Sequence, residues 1–200
     1  MQFDTLSVST IVLILFVGIS VLGFVWKDLW SAWMLHPHGI MERNRWHQLV
    51  TYGFVHGSVG HLLFNAVSYY SIAPAVEAAI GQGGFLFVYF GSLILGALPS
   101  VITHRGDPGY RALGASGAVA GLFFSGMLFY PEQRIYLFFL PVGIPYPLFG
   151  VLFLAGSWYG ARHQRDNIGH DVHMYGALAG LLLTAVLRPD AVTTFIDAVF

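Results

Sequence analysis

The chain has no cysteine, and only 10% of its 200 residues are Asp, Glu, Lys or Arg. The first absence excludes disulfides, thiol catalysis and thiolate metal sites. The second falls well below the roughly 25% charge of soluble domains, so the chain reads as a polytopic membrane protein. A net charge of −1 leaves no basic surplus, which argues against nucleic acid as a partner. The first apolar run has no basic region ahead of it and no clear small-residue cleavage site behind it, so it reads as a retained helix. No internal repeat and no linker is detectable, and residues 1–200 read as one domain.

What fills the chain instead is apolar sequence, 56% of it, with nine histidines. Leu6–Trp26 is long enough to cross a hydrocarbon core. Lys27–Gly57 follows, rich in tryptophan, arginine and histidine, a mixture suited to the membrane interface and to short helices packed on the bundle. A second helix is expected over Ser58–Ala79, then a tight connection at Gly81-Gln82-Gly83-Gly84. A third covers Phe85–Ile102, with Pro99 kinking or ending it. The fourth begins near Ala115 and stops before Pro131. Ile135–Pro147 reads as an extended interfacial piece because of Pro141, Pro145 and Pro147. Helix five is expected over Tyr146–Tyr159, a polar turn over Arg162–Asn167, and helix six over Gly169–Leu187, closed by Arg188-Pro189 and a short tail. The expected fold is an all-α membrane protein, a six-transmembrane-helix bundle.

Helices two, four and six then run in one direction. His61 and Asn65 fall in the first turns of helix two, Ser116 opens helix four, and His173 falls in the first turns of helix six. All four are placed near one membrane face at similar depth. Ionisable groups there cost a few kcal/mol unless paired, so a shared site is the economical reading. Gly117 and Gly121 are four apart, as are Gly176 and Gly180, a spacing that lets two helix backbones approach closely. His173 lies on nearly the same face as Gly176, so joining the two glycine faces brings its imidazole beside Ser116. A serine becomes a nucleophile when a neighbouring neutral histidine takes its proton. Acyl transfer also needs donors for the oxyanion, each worth roughly 3–4 kcal/mol. His61, Asn65 and the Ser116 backbone N–H suit that role. Asp171 lies off the face of His173, so no triad is assigned.

Three motifs, Gly114-Ala115-Ser116-Gly117, His61-Leu62-Leu63-Phe64-Asn65 and His173-Met174-Tyr175-Gly176 followed by Gly180, resemble those of the rhomboid family of intramembrane serine proteases. The lead-in Gln48–His56 resembles that family too, and the likeness covers residues 43 to 185. It implies a rhomboid-like bundle in which Ser116 is the nucleophile, His173 the general base, and His61 and Asn65 the oxyanion donors. Gly114, Gly117, Gly121, Gly176 and Gly180 are the packing positions. It implies transmembrane protein substrates, no cofactor, and a bacterial-type plasma (inner) membrane. Three positions depart, each expected to bear on efficiency rather than mechanism: Trp46 is followed by His47 rather than arginine; Val172 replaces a small residue, which is expected to loosen the contact between helices four and six; and Ala120 replaces an aromatic residue under the histidine ring.

Loop charges and resemblance disagree about orientation. Lys27, Arg43, Arg45, Arg105, Arg111, Arg162 and Arg165 fall on the site's side, with Arg134 and Arg188 opposite, which places the site toward the cytoplasm. The family implies the outer face. Other readings are a non-catalytic rhomboid-like protein that binds transmembrane helices, and a metal or proton transporter using the histidines. Without cysteine and with few acids nearby, no metal site is assigned. His36, His38, His47, His104 and His163 read as interfacial rings bonded to water. Glu77 reads as a helix-end residue bonding local backbone, and Gly91 and Gly96 as packing positions.

Overall fold

A computed structural model describes residues 6–137, 142–163 and 169–200. Arg165, most of the Arg162–Asn167 turn and the middle of the Ile135–Pro147 stretch lie outside the described residues. The first helix, α1 (Val8–Val25), starts on Ser7, whose side chain accepts from the Thr10 N–H. Its first-turn donors are met from a distance, since Glu77 accepts from the N–H groups of Val8 (3.0 Å) and Ser9 (2.8 Å). Glu77 therefore does not bond its own neighbourhood, as its sequence position suggested. A carboxylate at the end of one membrane helix satisfies the orphan donors at the start of another.

Between α1 and the next long helix lie three short helices and a 3-10 turn: α2 (Lys27–Trp33), α3 (Pro37–Arg43), α4 (Gln48–Thr51) and Tyr52–Phe54. Buried Gln48 holds this region together, donating to the Ala32 carbonyl (3.0 Å) and accepting from the His36 N–H (3.2 Å). The two helices expected next form α5 (Val59–His104), two arms meeting at Gly81, whose φ of +72° and ψ of 170° break the helix. The Tyr69 and Tyr89 rings lie 5.8 Å apart, whereas a straight helix would separate residues twenty apart by about 30 Å. The arms thus fold back on each other through one residue. Glycine is required there because L side chains rarely adopt that backbone conformation. Pro99 does not end the second arm, which continues to His104.

Helix α6 (Ser116–Phe129) has 14 residues, eleven of them buried. At about 21 Å it is too short to cross a 30 Å core alone. It packs closely against α5 and α8 along its length, and buried within protein it need not match the bilayer by itself. One antiparallel pair of short strands, β1 (Arg134–Ile135) and β2 (Ile144–Pro145), lies at the two ends of the expected extended stretch. Then come α7 (Tyr146–His163), α8 (His170–Leu187) and α9 (Pro189–Val199). The last was expected to be a short tail, but proline is favoured in a helix's first turn and Pro189 starts one. Arg188 anchors it, donating to the Ala79 carbonyl (2.7 Å) and pairing with Asp190.

The α1, α5 and α8 helices are long and apolar enough to cross a membrane. Nearly all the helices share one apolar core, in which α5, α6 and α8 meet most closely. Gly176 of α8 sits between Gly117 of α6 and Gly96 of α5: a Cβ added at Gly176 would strike the Gly117 carbonyl, and one at Gly96 would lie 3.0 Å from the Gly176 backbone. One turn on, a Cβ at Gly180 would strike Gly121. The small-residue faces expected to join α6 and α8 are joined, with α5 as a third member.

Candidate active site

The segment before α6 carries the serine, and the first half of the chain positions it. Ala112 exchanges backbone bonds with Leu35 (2.9 and 3.1 Å), and the Gly114 N–H donates to the Tyr52 carbonyl (2.9 Å). The Tyr52 hydroxyl is itself tied to the Leu93 carbonyl (2.7 Å). Gly114 has a φ of +109°, and a Cβ there would lie 2.7 Å from the His61 ring. Only glycine satisfies both conditions, so the residue two before the serine is fixed by backbone shape and by a neighbouring imidazole.

His56 supplies the third tie, and sequence reasoning missed it. The ring is fully buried. Ser20 donates its single hydroxyl proton to the Phe54 carbonyl (2.9 Å), so the 2.7 Å contact between Ser20 Oγ and His56 Nδ1 requires Nδ1–H as donor. Nε2 is then a bare acceptor, facing the Ala115 N–H at 3.3 Å. Burial, and then the adjacent His61, push this ring down to about 3, which keeps it neutral. Within the motif Val55-His56-Gly57 nothing in spacing separates this ring from the interfacial ones. The available signal was the lead-in Gln48–His56, which places it just before α5.

At the end of this scaffold Ser116 Oγ lies 2.6 Å from His173 Nε2. Val172, expected to loosen the contact between α6 and α8, does not. It is buried, and its Cγ1 occupies the space that a side chain at Gly117 would need. The aromatic neighbour missing at Ala120 comes from α7 instead, where the Phe153 ring lies 6.4 Å from that of His173. His61 stands edge-on to His56 at 5.0 Å. Asn65 is buried and uses one amide proton on the His61 carbonyl (3.1 Å). The Ser116 N–H opens α6 and has no acceptor within the helix.

Two cavities reach the pair. One of about 750 Å³ brings His61, Tyr52, Arg111 and Gly114 to Ser116 and His173. The other, about 490 Å³, brings Asn65 to them and runs between α5 and α7 past Ile72, Phe123, Phe149 and Phe153. All four expected site residues thus border connected space. Behind His173, Asp171 accepts from Ser100 of α5 through Oδ2 and from the Val172 N–H through Oδ1 (2.9 Å). His104 stands 3.9 Å from the same carboxylate and stacks on Tyr110 at 3.8 Å, so it is a packed ring rather than a solvated one. Among the described residues, no group of three or more His, Asp or Glu side chains could hold a metal ion.

Fold and site together define a class: a helical integral membrane protein that holds a paired serine and histidine inside its bundle. The sequence matches the Rhomboid domain over residues 43–190. It is 31% identical over 162 residues to YdcA of Bacillus subtilis, whose name assigns it to the rhomboid proteases, covering 80% of this chain and 74% of that protein. The rhomboid protease GluP of Bacillus subtilis is 26% identical over 150 residues, 75% of this chain and 28% of its own length. The rhomboid protease GlpG of Salmonella paratyphi A is 25% identical over 178 residues, 86% and 59% respectively. The chain belongs to the rhomboid family, a family of intramembrane proteases.

Proposed function

We propose that this chain is an active intramembrane serine endopeptidase that cleaves peptide bonds in or beside transmembrane segments of membrane proteins. The observation that carries the reading is the 2.6 Å contact between Ser116 Oγ and His173 Nε2. Ser116 Oγ attacks the scissile carbonyl carbon while His173 Nε2 takes its proton. The carbonyl oxygen becomes an oxyanion, which the Ser116 N–H, His61 and Asn65 stabilise. As the intermediate collapses, the carbon–nitrogen bond breaks and His173 returns the proton to the leaving amine. Water, deprotonated by His173, then attacks the acyl-enzyme, releasing the acid and restoring the serine.

The apolar cavity between α5 and α7 supports a lipid-embedded substrate, since its walls suit a transmembrane segment and its end is the pair. A hydrogen-bonded helix shields its carbonyls, so substrates with helix-breaking residues near the cut are favoured. Of the elements able to admit them, α7 is the candidate gate, because Gly150 weakens its second turn and it packs on α6 far less extensively than α5 and α8 do. Residues 1–200 act in this reading as one rhomboid-like domain, in a bacterial-type plasma membrane.

The test uses the full chain in proteoliposomes with a model transmembrane substrate. Wild type cleaves it and is labelled by a fluorophosphonate; Ser116→Ala loses both, and His173→Ala loses labelling, while both keep their helical circular dichroism. Undiminished cleavage by Ser116→Ala would remove the assignment.

A further inference from the structure

A third cavity, of about 580 Å³, adjoins the site without containing Ser116 or His173; Trp30, His36, His38, Arg43, Arg45 and Arg111 border it. It shares Trp30 and Arg111 with the active-site cavity, so the two are neighbours. Its volume is in the range of small-ligand sites. Three guanidinium groups converge here from two separate parts of the chain. None of the three appears in an ion pair among the described residues, where the pairs are His104–Asp171 and Arg188–Asp190. Asp107 exerts some pull on Arg111, but its Oδ1 accepts from the Gly109 N–H (2.8 Å).

One wall is tied down through Arg111. Arg111 donates through Nη1 to the carbonyls of Pro108 (2.8 Å) and Tyr110 (2.7 Å), which leaves Nη2 and Nε as donors. The Leu35–Ala112 bridge and Gln48 hold the two parts of the chain together. Burial lowers the His36 ring below the usual imidazole value, and the neighbouring charges of Arg111, His38 and Arg45 lower it further. His36 Nε2 is buried and has no hydrogen-bond partner among the described residues.

Uncompensated arginines with free planar donors match the tetrahedral oxygens of a phosphate. The position selects the carrier. The apolar run of α1 ends at Val25 and is followed by exposed Trp26, and Met41 and Trp46, close in sequence to Arg43 and Arg45, are exposed too, as residues at a headgroup layer are. We propose that this cavity binds a phosphate-bearing anion, supplied in the membrane by the headgroup of an anionic phospholipid seated next to the active-site opening. The cluster also gives the site-side surplus of arginine a physical reason that does not depend on membrane orientation. Nothing in this inference requires the serine to be catalytic.

The test counts bound lipid. Full-length protein in neutral detergent is incubated with dioleoyl phosphatidylglycerol or dioleoyl phosphatidylcholine, and retained lipid is measured by native mass spectrometry. Wild type retains phosphatidylglycerol with an affinity roughly tenfold or more above that of Arg43→Gln/Arg45→Gln, while weak phosphatidylcholine retention is the same in both. Arg111→Gln, on the other segment, gives an independent variant with the same expected loss. Inorganic phosphate is the second probe: displacement of the lipid at low millimolar concentration keeps the site but assigns it to phosphate from solution, and no displacement supports the lipid. Equal phosphatidylglycerol retention by wild type and all variants overturns the proposal. So does a result in which Arg43→Gln/Arg45→Gln spares lipid retention but slows cleavage of a substrate with acidic flanks, because the cavity would then read substrate charge.

Discussion

Adding one methyl group at Gly176 is the most direct way to ask whether the distance between α6 and α8 sets activity. In Gly176→Ala the new Cβ would lie 2.8 Å from the Gly117 carbonyl carbon and 3.0 Å from its Cα, besides striking the carbonyl oxygen. Relaxed carbon contacts need about 3.5–4.0 Å, so the two backbones must part by roughly 0.5–1 Å. The obstacle is backbone, and no rotamer change removes it. On the other side α5 presses on the same residue through Gly96, which closes one route of retreat. The Ser116–His173 contact, 2.6 Å in the relaxed bundle, would then open to about 3–3.6 Å, at or beyond hydrogen-bond range. A misplacement of that size costs on the order of 100-fold in rate, and the overpacking costs about 1–3 kcal/mol of stability. The assay is initial cleavage rate in proteoliposomes with fluorophosphonate labelling kinetics, beside melting temperature in detergent. Gly18→Ala is the control, because a Cβ at that position meets nothing within 4 Å. A Gly176→Ala protein with wild-type rate and wild-type melting temperature would refute the reasoning.

The remaining predictions concern the supports of the site. His56 titrates near 3 when folded but near 6.5 when unfolded, so its stabilisation is fully present above pH 6.5 and is lost as pH falls from there toward about 3, the range in which only the unfolded chain takes up the proton. From this ring wild type should lose up to about 1.4 kcal/mol per pH unit below 6.5, and His56→Gln, already less stable at pH 7.5, should show a shallower slope by that contribution in detergent melting curves. Asp171→Ala removes the acceptor of Ser100 and of the Val172 N–H; we expect a stability loss of about 1.5–3 kcal/mol and a lower kcat at unchanged KM, whereas a changed KM with intact kcat would point to substrate contact instead. Glu77→Gln weakens the link to the first turn of α1, and melting should report about 1–2 kcal/mol of lost stability with the fluorophosphonate labelling rate of the folded protein unchanged.

Much of this was readable in the residues because lipid imposes simple requirements. Apolar length located the long helices, and the four-residue glycine spacing on α6 and α8 located their contact and hence the serine–histidine pair. What stayed hidden depends on partners distant in sequence. Glu77 bonds Val8 and Ser9, some seventy positions away, and no local pattern marks it. His56 resembles the interfacial histidines until Ser20 and Ala115 are seen on its two nitrogens. Pro99 was expected to kink or end its helix, and it does not end it: the helix carries an internal proline through to His104. Val172 and Ala120 looked like weaknesses taken singly. They are compensated by Gly117 and by Phe153, residues on other helices that no inspection of one position reveals.

The histidine facing Ser116 lies 57 residues further along the chain, on α8. A ribosome has therefore made the alcohol and its surroundings well before it makes the group that would take the proton. In the proposed mechanism, nascent and truncated chains that lack α8 are unarmed in consequence, however well their earlier helices have inserted. The pair is then completed only with α8, the last of the long helices.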